Sequence, residues 1–89
     1  MQIEVLYFGR LREITGHRQE TLIRPQSDSL SSIIGILTEK YGDGFKERID
    51  DSDRYSILIN GRHYLTIAGH RSKLKDGDQV VFMPVTMGG

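Results

Sequence analysis

The sequence predicts an α+β domain, a mixed sheet of about four to five strands packed on one main helix. Three stretches carry that prediction. Residues 2–8 alternate with a period of two, residues 30–41 repeat their apolar positions at helical spacing, and two β-rich runs flank Asn60-Gly61.

The first strand sets Ile3, Val5 and Tyr7 on one face and Glu4, Leu6 and Phe8 on the other, because successive strand side chains point to opposite sides. The first face reads as buried. The second is unusual, with Leu6 and Phe8 where a solvent face would be polar. Gly9 ends the strand, and Leu11-Arg12-Glu13-Ile14 reads as a short turn closed by Gly16. Residues 19–24 give a second strand, stopped by Pro25. The two strands form a hairpin with more than the tight two-residue loop.

Asp28 or Ser29 caps the main helix. Leu30, Ile33, Ile34, Leu37 and Tyr41 then recur on one face, and Gly42 supplies the stop. Gly35 lies inside this helix, where glycine costs up to ~1 kcal/mol relative to alanine. Close packing against the sheet would account for it. Residues 43–54 are polar and read as a loop, with one helical turn around Phe45 to Ile49.

Tyr55–Ile59, Asn60-Gly61 and the run from Arg62 to Ile67 form the clearest hairpin signal, since Asn-Gly suits positive φ at both turn positions. Residues 68–75 form a loop and Asp76-Gly77-Asp78 a further turn. Residues 79–83 make the last strand, which Pro84 ends. The expected division is a folded body at 1–84 and a flexible tail at 85–89.

A chain of 89 residues makes one domain, and 37% hydrophobic with 27% charged residues supports a modest core. Twelve basic residues balance twelve acidic ones, which gives no reason to expect nucleic acid or an anionic membrane as partner. Cysteine is absent, so the chain brings neither disulfide nor thiol, which fits a cytoplasmic protein. No apolar run approaches the ~20 residues of a membrane span, and the opening MQIEVLYF lacks the basic lead of a signal peptide.

A self-contained active site is not legible. His17, His63 and His70 stand in or beside turns, without the ligand spacing of a metal centre. Asp50, Asp51 and Asp53 share a polar loop and read as solvated. Neither a G-x-S-x-G elbow nor a G-x-x-x-x-G-K-S/T phosphate loop occurs. What remains is Gly88-Gly89. Two glycines make a thin, flexible strip, because no Cβ restricts them, and the last carries a bare carboxylate able to enter a narrow site.

The segment LKDGDQVVFMPVTMGG resembles the C-terminus of the MoaD/ThiS group of ubiquitin-like sulfur carriers. There the usual ending of the MoaD branch reads much like L-x-D-G-D-E-V-x-F-x-P-P-V-x-G-G. Leu74, Asp76, Gly77, Asp78, Val80, Phe82, Pro84 and Gly88-Gly89 match in type and spacing. IEVLYFGRLREITG resembles the same branch through Val5, Phe8, Gly9 (where alanine is common), Arg12, Glu13 and Gly16. Val85 replaces a usual second proline, and Met87 stands where a small residue is frequent. The spacing from Asp76 to Gly89 is kept, although Val85 loosens a segment that proline would stiffen.

The resemblance implies a β-grasp fold, a ubiquitin-like sheet over one helix. It implies that an E1-like enzyme, using its own ATP and magnesium, adenylates the carboxylate of Gly89, which becomes a thiocarboxylate. This chain would itself bind no cofactor. The tail would insert into the large subunit of molybdopterin synthase and donate sulfur to the pterin precursor, or, for a ubiquitin-like modifier, Gly89 would be conjugated to lysines of target proteins. Any side chain at Gly88 or Gly89 would crowd the acyl carbon. Phe8, Leu58, Val81 and Met83, with Leu6, would face outward as a partner surface. Arg12 and His63 would lie near its rim by correspondence with the family. Met83 and Met87 suit a surface that meets more than one partner, since methionine adapts its shape.

Overall fold

The computed structural model describes residues 1–51, 53–63 and 73–85. Strand β1 (Gln2–Tyr7) leads into a short helix α1 (Leu11–Thr15) and strand β2 (Gln19–Ile23). Helices α2 (Leu30–Tyr41) and α3 (Asp43–Asp50) follow, then strands β3 (Tyr55–Ile59), β4 (Arg62–His63) and β5 (Gln79–Pro84). The strands form one sheet in the order β2-β1-β5-β3-β4. It is mixed, as expected. β1 pairs with β2 antiparallel and with β5 parallel, while β3 is antiparallel to both β5 and β4.

The inward face of β1 is completely buried at Ile3, Val5 and Tyr7, as the alternation predicts. Val80 and Phe82 of β5, Ile57 and Ile59 of β3, and Leu30, Ile33 and Leu37 of α2 complete this layer. Tyr7 stacks on Phe82 at 6.0 Å, and Phe45 stands edge-on to both rings. Ser29 is the cap of α2, its Oγ accepting from the Ser32 N–H at 3.1 Å. Asp28 instead accepts from Arg24 Nε at 2.7 Å. Asn60 and Gly61 both take positive φ, 52° and 84°, as their hairpin requires.

Four expectations need correction. Residues 43–50 are a full helix and not a loop with one turn. Phe45 and Ile49, four apart, bury into the core, and Lys46 pairs with Asp50 along the outer face at 2.7 Å. Leu11–Thr15 is a helix of five residues whose Leu11 is completely buried. Gly35 is not packed against the sheet. A Cβ built on it meets nothing within 4 Å, and it is exposed. Val81 faces outward as expected but is not exposed surface. It lies in the central strand directly between Leu6 of β1 and Leu58 of β3, and these neighbours leave it 8% exposed.

The second arm of the Asn60-Gly61 hairpin is described only at Arg62–His63, so the rest of that strand lies outside the described residues. Pro84 belongs to β5, opposite Tyr55.

Candidate functional site

The outward sheet face divides along its length. At one end it is mixed, with Gln2 opposite the exposed Ile23 and Glu4 opposite Thr21, whose hydroxyl donates to Glu4 at 2.8 Å. At the other end, toward Pro84, it carries Leu6, Phe8, Leu58 and Met83, all half-buried, around Val81. His63 stands opposite Leu58 at the border of this patch. Arg12 lies on it more firmly than rim placement suggests. Its Nε donates to the Tyr7 carbonyl at 2.9 Å, and its guanidinium sits 4.8 Å from the centroid of the Phe8 ring. The strands thus bring Phe8, Arg12, Leu58, His63 and Met83 onto one side. Val81 lies among them on the same face, covered by its neighbours. Met87, Gly88 and Gly89 lie outside the described residues, as does His70.

The last strand delivers the chain from this patch. Phe8 N–H donates to the Phe82 carbonyl at 3.0 Å, extending the parallel ladder past β1. One residue beyond Pro84, the Val85 N–H donates to the Arg54 carbonyl at 2.7 Å, so Val85 is still held by the body. At the opposite end, Asp76 and Asp78 act as turn acceptors. Asp76 takes the Gln2 N–H at 2.6 Å, and Asp78 takes the Lys75 N–H at 2.7 Å.

The remaining candidates stay apart. His17 is exposed; Asp50 and Asp53 are exposed, with Asp51 half-buried. Among the described residues, no group of three or more His, Asp or Glu side chains could hold a metal ion. None of their helices is long and apolar enough to cross a membrane.

Sequence reasoning missed a partly buried polar cluster. Glu20 points inward from β2 and accepts from Tyr7 Oη at 2.9 Å, from Lys40 Nζ at 3.0 Å and from Tyr41 Oη. Burial pushes the Glu20 carboxyl upward, but the hydrogen bonds from Tyr41, Lys40 and Tyr7 outweigh it and hold the group below the usual carboxylate range. Burial, followed by the facing Glu20, raises Tyr7 well above an ordinary phenol. The signal was available: Glu20 shares the period-two face of Leu22. A groove of about 330 Å³ between α2 and α3, lined by Ile34, Gly35, Thr38 and Lys46 among others, was likewise unforeseen.

A mixed sheet of this order beneath one long helix, with an apolar outward patch leading to the last strand, is a ubiquitin-like β-grasp domain. A model of the ThiS family matches residues 5–89, and the chain belongs to that family. It is 32% identical over 89 residues to the human molybdopterin synthase sulfur carrier subunit, covering 99% of this chain and 94% of that one. The solution structure of small archaeal modifier protein 1 from Methanosarcina acetivorans is 27% identical. It superposes with a TM-score of 0.79 over 99% of this chain and 96% of that chain. The Haloferax volcanii HVO 2177 protein is 26% identical, with a TM-score of 0.80 over 100% of this chain and 87% of that chain.

Proposed function

We propose that this chain is a sulfur carrier of the molybdopterin synthase type, working through the carboxylate of Gly89. The observation that carries the reading is the 32% identity to a molybdopterin synthase sulfur carrier subunit over nearly the length of both chains. The family match, which runs through Gly89, supports it as well.

The carboxylate oxygen of Gly89 attacks the α-phosphorus of ATP on an E1-like enzyme, and pyrophosphate leaves. A persulfide on a donor protein then attacks the acyl carbon and AMP leaves; a thiol reductant next cleaves the S–S bond of the resulting acyl disulfide, leaving the thiocarboxylate on Gly89 and a thiol on the donor. A carboxylate is a poor electrophile, and the acyl-adenylate makes it a good one. The nucleotide, its magnesium and the sulfur donor belong to the partners. The carboxylate of Gly89 is the reacting group, and the patch of Phe8, Arg12, Leu58, His63 and Met83 docks the E1-like enzyme and the synthase large subunit in turn. Its mix of aromatic, aliphatic and methionine surface suits both.

A second reading is conjugation to target lysines through the same carboxylate. The 27% identity to an archaeal modifier protein favours it. Both uses need the same activated Gly89.

Co-expression with a cognate E1-like enzyme and a sulfur donor tests the proposal. Intact-mass spectrometry is expected to find one oxygen replaced by sulfur at Gly89. Deleting Gly89 is expected to abolish the change without unfolding the domain. An unchanged mass, under conditions that convert a known carrier, sinks the reading. A lysine-linked ladder lost with Gly89 assigns the modifier role.

A further inference from the structure

Five glycines among the described residues have positive φ: Gly9, Gly16, Gly42, Gly61 and Gly77. At four of them a Cβ would enter open space, so a side chain would meet only backbone strain. Gly9 differs. With φ +63°, it would place a Cβ 2.7 Å from Cγ of Pro84 and 3.3 Å from Oη of Tyr55. At the first distance something must shift, and the atom met belongs to a proline ring and not to the free end of a flexible side chain. The left-handed turn after Phe8 therefore lays bare backbone directly against Pro84.

Pro84 is also where the ladder changes hands. It lies opposite Tyr55, and the ring leaves it without an N–H to donate. The next donor, Val85 N–H, bonds the Arg54 carbonyl at 2.7 Å. The Pro84 ring is thus confined on one side by Gly9 and Tyr55, and the chain just beyond it is tied to Arg54.

We propose that Gly9, Pro84 and the Arg54 carbonyl clamp the root of the C-terminal segment and fix the direction in which the chain leaves the sheet, with Gly9 as a positioning residue for the chemistry at Gly89. This rests on the sulfur-carrier reading for its consequence, but the clamp can be measured without it. Direction at the root matters because error grows with distance. A swing of about 10° displaces a point four extended residues further on by roughly 2 Å. Misplacing a reacting atom by about 1 Å can cost on the order of 100-fold in rate.

The test combines amide exchange with activation kinetics on the full chain, using Gly9→Ala, Pro84→Ala and the double variant. In either single variant the Val85 amide is expected to exchange about tenfold faster, while the Phe82 amide keeps its protection. With the E1-like enzyme, Gly9→Ala is expected to lower kcat about tenfold with KM within about twofold, because docking is intact and alignment is lost. In the double variant the missing ring leaves room for the methyl group introduced by Gly9→Ala, so its losses are expected to fall short of the sum of the singles. Unchanged Val85 exchange in both single variants overturns the clamp. Faster exchange with an unchanged kcat overturns the positioning role. If Gly9→Ala fails to fold, Pro84→Ala alone decides both points. A wild-type chain that is never activated refutes the carrier reading instead, and Val85 exchange still decides the clamp.

Discussion

Asn60 and Asp78 join the two turns at one end of the sheet. Asn60 Nδ2 donates to Asp78 Oδ1 at 2.8 Å, while Asn60 Oδ1 accepts the Gln79 N–H at 2.9 Å. One side chain thus satisfies both neighbours, and the hairpin tip after β3 is bolted to the start of β5. The pair fixes the β3–β5 register from its open end.

Replacing Asp78 with alanine removes the partner of both Asn60 Nδ2 and the Lys75 N–H. Stability is expected to fall by about 1–2 kcal/mol. Urea unfolding should show a lower midpoint with an unchanged m value, since the surface exposed on unfolding is the same. A midpoint within error of the wild type would show that the bolt adds nothing to stability.

Glu20 makes stability depend on acid. Its carboxyl titrates below the usual range in the folded state, because three hydrogen bonds to the charged form outweigh burial. Its unfolded value is about 4.3. The contribution is therefore complete above about pH 5 and is lost as pH falls through the lower folded value. Glu20→Gln is expected to be less stable near neutrality by about 2 kcal/mol, because its amide N–H groups face the Lys40 ammonium. It should also lose less between pH 5 and roughly pH 3. Thermal unfolding of both proteins across that window checks the sign, and parallel curves would refute it.

Gly35 gives a prediction of opposite direction. It is a helix-interior residue, and a Cβ built on it meets nothing within 4 Å. Gly35→Ala is expected to stabilise by roughly 0.5–1 kcal/mol, raising Tm by roughly 2–8 °C. Differential scanning calorimetry measures it. A lowered Tm would mean that the groove walls close on the new methyl group.

Met83 tests the outward patch without touching the core. It is half-buried, faces away from the helices and lies opposite Ser56. Met83→Asp is expected to cost under about 1 kcal/mol of stability. Under the proposed docking of an E1-like enzyme, affinity for that enzyme should weaken at least about tenfold, as a charge is desolvated at the centre of a contact. Titration calorimetry against the wild type decides it.

Much of this architecture was legible because short-range patterns and long-range packing agree. Ile3, Val5 and Tyr7 alternate, and they are buried. Leu30, Ile33 and Leu37 follow helical spacing, and they face the core. Asn60-Gly61 takes the backbone angles its composition demands. α3 was hidden because only Phe45 and Ile49 of its eight residues are apolar, a pattern one turn explains equally well. Val81 was placed on the correct face but read as exposed, because alternation tells which face a residue occupies, not whether its neighbours cover it. That depends on strand order, which places β5 between β1 and β3. The Gly9–Pro84 contact joins residues remote in sequence, and no local pattern announces it.

The parallel pairing of β1 with β5 also has a consequence for biogenesis. Glu4 lies beside Gln79, so β1, made before β5, meets this parallel neighbour only when synthesis has passed the far end of β5. Until then β1 and β3 each present an unpaired edge, and edges of that kind recruit other chains. Closing so long a loop is slow, and pairing across it comes late in folding. The nascent polypeptide is thus most prone to aggregate just before the central strand inserts. Chaperone dependence should accordingly concentrate in that interval and end once the sheet is whole.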